Sequence, residues 1–196
     1  MANTNANNNA SATIITGRRT RLSYANLYEP KGFEGSQPMY SASLIIPKDD
    51  KRTLDLIRSA IKAAYENGSY KLRGNGRSVP ALSDINQPLI DGDKKRPDDP
   101  AYENTYYLNA KNRDQPVLFD VDDEKCMTDR SVLYSGCYAR CKIKFYVYNK
   151  GVNKGIACSL LGVHKIADGE PLGGSVTTAD DFKTDEDDED DADFLN

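Results

Sequence analysis

The chain has 196 residues, of which 26 are basic and 30 acidic, with one histidine and four cysteines; this is the size of one domain with appendages. Ten of the acids and a single lysine fall in the last seventeen residues, so the formal charge of −4 divides into a tail of −9 and a body of +5, with 25 basic residues against 20 acidic. Such asymmetry points to a polyanionic partner for the body, or to contact between body and tail, and no apolar run approaches the ~18 residues of a membrane span.

In chain order, residues 1–12, "MANTNANNNASA", are uncharged and rich in Asn and Ala. They lack the basic start and apolar core of a signal peptide, so they read as a disordered leader of a cytosolic protein. Thr13 to Tyr28 mix β-formers with Arg18, Arg19 and Arg21 and predict one long strand or two short ones. Turn residues follow, then "MYSASLIIP", which alternates and stops at Pro47. A helix comes next. Asp49 or Asp50 can cap it. Leu54, Ile57, Ile61 and Ala64 or Tyr65 give it one apolar face, and Gly68 is placed to end it with a left-handed turn. That face needs no function beyond packing on a sheet.

Ser69 to Tyr102 are rich in Gly, Pro, Asp and Lys and predict a long loop excursion. Strand signals return at "NTYYLNAKN" and "PVLFDV", and then at "GCYARCKIKFYVYNK" and "GIACSLLGVHKIA", which form a hairpin. From Asp168 a flexible link of twelve residues leads to the acidic run.

The strongest chemical pattern is Cys137 to Tyr148. Side chains alternate sides along a strand. One side holds Cys137, Ala139, Cys141, Ile143, Phe145 and Val147. The other holds Tyr138, Arg140, Lys142, Lys144, Tyr146 and Tyr148. The first can cover a core. The second suits single-stranded nucleic acid: cations follow the phosphates, and bases stack on the rings at roughly 1–3 kcal/mol each. Duplex DNA hides those base faces. "TYYLNAKNR" repeats the theme with Tyr107, Asn109, Lys111 and Arg113 on one side. The competing explanation is an ordinary solvated face of an antiparallel sheet.

Other motifs carry less. Cys126, Cys137, Cys141 and Cys158 lack the paired spacing of a zinc ribbon and read as small core residues. His164 stands on a strand with no nucleophile placed beside it. "RGNGR", Arg73 to Arg77, lacks the strand, helix and third glycine of a dinucleotide fingerprint. Asp91 and Asp93 in "DGDKK" read as a turn; a metal-dependent nuclease built on them is a rival explanation. No metal, cofactor or catalytic group is expected.

The acidic tail has its own logic. A twelve-residue link, Asp168 to Ala179, spans roughly 20 Å by coil statistics, which lets the acid compete with phosphate for the body's cations. Phe182, Asp190, Asp191, Asp193, Phe194 and Leu195 then form an apolar anchor set in negative charge, suited to docking another protein.

The segments "RLSYANLYEP", "YSASLIIPK", "LIDGD", "YSGCYARCKIKFYVY" and "GIACSLLGVHKIADGEPLGG", in this order, resemble the tailed-phage single-stranded DNA-binding proteins, which have an OB-fold body and an acidic C-terminal tail. The resemblance implies binding of single-stranded DNA without strong sequence preference, in phage replication or recombination inside the bacterial host cell. It also implies tail contacts with phage or host replication proteins. In such barrels the helix commonly lies between strands three and four; here it follows the second strand block.

The expected fold is all-β: an OB-fold-like five-stranded barrel with one packed α-helix and a long loop insertion. The expected domains are a leader at 1–12, a DNA-binding body at 13–167, and a linker with acidic tail at 168–196. The expected stacking residues are Tyr107, Tyr138, Tyr146 and Tyr148. The expected phosphate contacts are Lys111, Arg113, Arg140, Lys142 and Lys144, with Arg18, Arg19 and Arg21 behind them. The alternative is a protein-interaction or phage structural module using the same Tyr/Lys face. A homo-oligomer is compatible with either.

Overall fold

The computed structural model describes residues 11–32, 35–73 and 78–173. The arginine-rich segment expected as one strand or two is two, β1 (Thr13–Ile15) and β2 (Arg21–Lys31), split by a turn at Gly17–Thr20. β3 (Met39–Pro47) precedes α1 (Lys51–Gly68). The excursion holds β4 (Ile90–Asp91), α2 (Gly92–Lys95) and three short 3₁₀ turns. β5 (Thr105–Asn112), β6 (Val117–Phe119), β7 (Tyr138–Lys150) and β8 (Asn153–Ala167) complete the body.

The pairing order β7-β2-β3-β5-β8 returns to β7, so five strands close a ring. Neighbours around it are antiparallel except β5 and β8, which pair in parallel at Ala110 and Cys158. The ring is the OB-type barrel expected. β1, β4 and β6 extend the sheet by pairing with β7, β5 and β8, and Leu118 of β6 joins the main core. Alternation dictates the interior: Leu22, Leu44, Leu108, Ile143, Phe145 and Leu160 are all fully or almost fully buried. Each such side chain contributes about 1.5–3 kcal/mol by leaving water. All four cysteines are buried and free, and burial pushes the Cys141 and Cys158 thiols well up, which keeps them as inert core thiols.

α1 follows the second strand of the ring, and the Asp50 carboxylate caps it by accepting from the Thr53 amide at 3.1 Å. Its buried stripe, Leu54, Ile57, Ile61 and Ala64, joins the main core. Gly68 does not make the left-handed turn expected of it. Its φ is −125°, and the chain tightens into a 3₁₀ turn at Ser69–Leu72. The glycine serves close approach instead, because a Cβ there would sit 2.9 Å from Val147 Cγ2 on β7.

The excursion is more organised than expected. β4 pairs with β5, laying Ile90 opposite Tyr107. Tyr102 and Tyr107 meet edge to face at 5.0 Å and form a second small core with Ile45. Arg96 lies over both rings and over Tyr24, whose hydroxyl accepts from its Nη1 at 2.9 Å. The Lys48 ammonium bonds Asp91 and Asp93 at 2.8 and 2.6 Å and holds both carboxyls below the usual range. These ties make residues 90–102 a lid over the outside of β3 and β5.

Residues 168–173, expected to start the flexible link, dock on the body. Arg21 donates to the Gly136 and Glu170 carbonyls at 2.9 and 2.6 Å, and the Leu172 amide donates to the Ser135 carbonyl at 2.7 Å. Gly136 has φ +122°, and a Cβ there would meet the Glu170 oxygen at 2.2 Å. Only glycine accepts both that conformation and that contact.

Candidate nucleic-acid interface

β7 alternates as its sequence requires. Ala139, Cys141, Ile143, Phe145 and Val147 are buried, while Arg140, Lys142, Lys144 and Tyr146 are exposed. The hairpin with β8 sets what lies beside them. Lys142 faces Gly162, Lys144 faces Ser159, Tyr146 faces Ala157 and Tyr148 faces Gly155. Each large side chain therefore has a small residue as its neighbour, and the row of cations and rings borders a low floor. Between Lys142 and Ile143 the register slips by one residue, Leu161; such bulges bend a strand and increase its twist.

Across that floor β5 contributes Asn109 and Lys111. With Tyr146, Tyr148, Lys150 and Ala157 they line a groove of ≈ 400 Å³. Its two tyrosines differ. The Tyr148 hydroxyl donates to Asn153 Oδ1 at 3.0 Å and accepts from Asn86 Nδ2 at 3.3 Å, which fixes the ring. Tyr146 is 42% exposed and has no such bond among the described residues. No acid among the described residues lines this groove. Cations above a shallow apolar floor with standing rings can hold phosphates and receive unstacked bases.

Other expected site residues are elsewhere. Tyr107 is only 6% exposed. It does project to the same side of β5 as Asn109 and Lys111, but the lid covers it with Tyr102 and Arg96, so it is removed from the stacking set. Arg113 lies past the end of β5 and does not line the groove. Tyr138 is half-buried at the far end of β7, beneath the Arg21 guanidinium at 5.8 Å. Arg21 is committed to the carbonyls of Gly136 and Glu170, so neither residue belongs to the groove. Arg19 pairs with Asp49 at 3.0 Å. Arg18 and Arg140 share a separate pocket, with the Arg140 Nε donating to the Thr16 carbonyl at 3.3 Å.

Among the groove residues that escaped sequence reasoning are Lys150, Ala157 and the hydrogen-bonding Asn153. The signal was present in "NKGIACS", where Gly155, Ala157 and Ser159 recur at every second position. Small residues at period two beside a Tyr/Lys strand mark a floor, once the register is known.

The remaining motifs resolve simply. His164 lies edge-on to Phe119 at 6.1 Å, with Nε2 3.3 Å from Asp123 Oδ1. The space between Asp91 and Asp93 that the nuclease reading needs for a metal is filled by the Lys48 ammonium. The described residues contain no cluster of three or more metal-ligating side chains. None of their helices is long and apolar enough to cross a membrane. Residues 74–77 of "RGNGR", and Phe182, Asp190, Asp191, Asp193, Phe194 and Leu195 of the tail, lie outside the described residues.

The fold superposes on the single-stranded DNA-binding protein of bacteriophage Enc34, solved in complex with single-stranded DNA, with a TM-score of 0.70 and 28% identity over 83% of this chain and 90% of that one. It also superposes on gp2.5, a single-stranded DNA binding protein encoded by bacteriophage T7, with a TM-score of 0.55 over 89% of this chain and 96% of that one; at 17% identity this is a likeness of fold. A protein named putative protein p50, from Acyrthosiphon pisum secondary endosymbiont phage 1, is 34% identical over 169 residues, covering 83% of this chain and 88% of its own. The family model described as Enterobacter phage Enc34, ssDNA-binding protein, matches residues 12–195. The chain therefore belongs to the Enc34 phage single-stranded DNA-binding protein family.

Proposed function

We propose that this protein binds and shields single-stranded DNA, without strong sequence preference, during phage DNA replication or recombination. The observation that carries the proposal is the acid-free outer row of β7, running from Arg140 to Tyr146 and Tyr148, with small residues of β8 beside it from Lys142 onward. Cations follow the phosphates, and the rings accept bases that a duplex keeps stacked. Membership of the family, and the relative solved with single-stranded DNA, support the same reading. The protein acts by occupancy and has no catalytic step. Its acidic tail competes with phosphate for the body's cations and, once displaced, docks replication partners through Phe194 and Leu195.

The test is a gel shift with matched single- and double-stranded oligonucleotides. Strong retardation of the single strand only is expected. No retardation of either, together with a stable complex in a protein pull-down, would favour an interaction module and overturn the proposal.

A further inference from the structure

We infer that the bound strand continues beyond the tyrosine groove into a second phosphate-holding pocket built by Arg18, Arg52 and Arg140. This rests on the proposed single-strand binding and extends its path. The pocket is ≈ 520 Å³ and draws on three separate elements: the turn after β1, the first turn of α1, and β7. Sequence position alone gives no reason to group Arg52 with Arg18.

Packing brings them together. The Gly17–Thr20 turn sits directly on the helix, so closely that a Cβ on Gly17 would lie 2.3 Å from Thr53 Oγ1. Two acids stand nearby, and one of them, Asp50, lines the pocket and keeps its charge. Asp50 accepts from the Thr53 amide and hydroxyl at 3.1 and 2.7 Å, and Asp49 pairs with Arg19. Arg140 uses only Nε, toward the Thr16 carbonyl. Arg18 and Arg52 make no ion pair or hydrogen bond among the described residues. The three guanidinium groups thus line one pocket without a carboxylate partner among the described residues, and such groups can take a phosphate in two parallel hydrogen bonds. The start of α1 adds partial positive charge from its dipole. Ile15 and Leu56, 48% and 42% exposed, supply an apolar bed for a base or sugar.

The pocket is not isolated. Arg140 lines it, and Arg140, Lys142, Lys144, Tyr146 and Tyr148 project in sequence from one side of β7. At ~3.3 Å per residue, Arg140 and Tyr148 are about 26 Å apart. A short oligonucleotide can fill the tyrosine groove alone; only a longer one reaches the arginines. An acidic peptide would also suit these cations, but it would gain nothing from the continuous row leading to the tyrosines.

The experiment titrates the full chain and its Arg18→Ala/Arg52→Ala variant with oligothymidylates of about 4 and about 12 nucleotides, within the range of site sizes of OB folds. For the longer oligonucleotide we expect an affinity loss of about tenfold and a salt slope shallower by roughly 1.4, the value for two phosphate contacts on a single strand. The shorter one should bind unchanged. Arg18→Lys/Arg52→Lys should recover part of the affinity and the full salt slope. Equal binding of the longer oligonucleotide by parent and variant overturns the inference, as does an equal loss at both lengths. If the parent binds neither length, the proposed function itself has failed, a result distinct from either.

Discussion

At the scale of single residues, the two groove tyrosines differ in how they are held. Tyr148 is held by Asn153 and Asn86, whereas Tyr146 is exposed and makes no such bond among the described residues. Replacing both by Ala should weaken oligothymidylate binding at least tenfold in a fluorescence titration, since each stacked base contributes roughly 1–3 kcal/mol. Their inward neighbours are untouched, so the fold should persist, with the thermal midpoint lowered by no more than a few degrees as the Tyr148 hydrogen bonds are lost. Tyr148→Phe keeps the ring and should change affinity only a few-fold. Unchanged affinity in the double variant would remove β7 from the groove. Arg21 should behave in the opposite way. Its guanidinium fastens the Gly136 and Glu170 carbonyls and covers Tyr138. Arg21→Ala should therefore lower the thermal midpoint by several degrees, as expected for a loss near 1 kcal/mol, with DNA affinity within twofold of the parent. A large affinity loss at constant stability would return Arg21 to the phosphate set.

At the scale of elements, strands and helix were legible and the lid was not. β3, β5, β7 and β8 declare themselves by alternation, and α1 by the spacing of Leu54, Ile57 and Ile61. Both periods are properties of the local chain. The segment between α1 and β5 is organised by distant partners: Lys48 for Asp91 and Asp93, and Tyr24 for Arg96. No local pattern announces such ties, and so the burial of Tyr107 could not be read. Half of the site was visible for the same reason. Lys144 and Tyr146 share a face by parity, but their neighbours on β8 depend on register, and a slip of one residue reverses every side chain. The lid also has a pH signature. Asp91 and Asp93 titrate below the ordinary carboxylate value because Lys48 bonds their charged forms. Their contribution is complete above that ordinary value, ~3.9, and is lost as pH falls through their lowered folded values. Near-UV circular dichroism of Tyr102 and Tyr107 should therefore fade on acidification below about pH 4, the carboxylate range, before the far-UV signal falls. In Lys48→Met that early step should disappear; if it persists, Lys48 does not secure the lid.

At the scale of the whole molecule, charge is divided between a body of +5 and a final stretch of −9. If about four phosphates are neutralised, log K should fall with log salt at a slope near −3, and a flat response would rule out an electrostatic path along β7. Cutting after Ala179 should tighten single-strand binding most at low salt, where screening is weakest. Equal or weaker binding by the shortened chain would contradict competition by the tail.

The closed ring has a further consequence for crowded assemblies. Proteins lined up along a strand sit at very high local concentration, and exposed sheet margins then invite fusion into fibres. Here β7 and β8 seal the barrel, and the strands added outside them, β1 and β6, are three residues each. The margin of β6 is further occupied by a bridge from Phe119 to Lys125. At the β1 and β6 margins, a neighbouring copy meets at most three residues of strand, too short a length on which to nucleate amyloid.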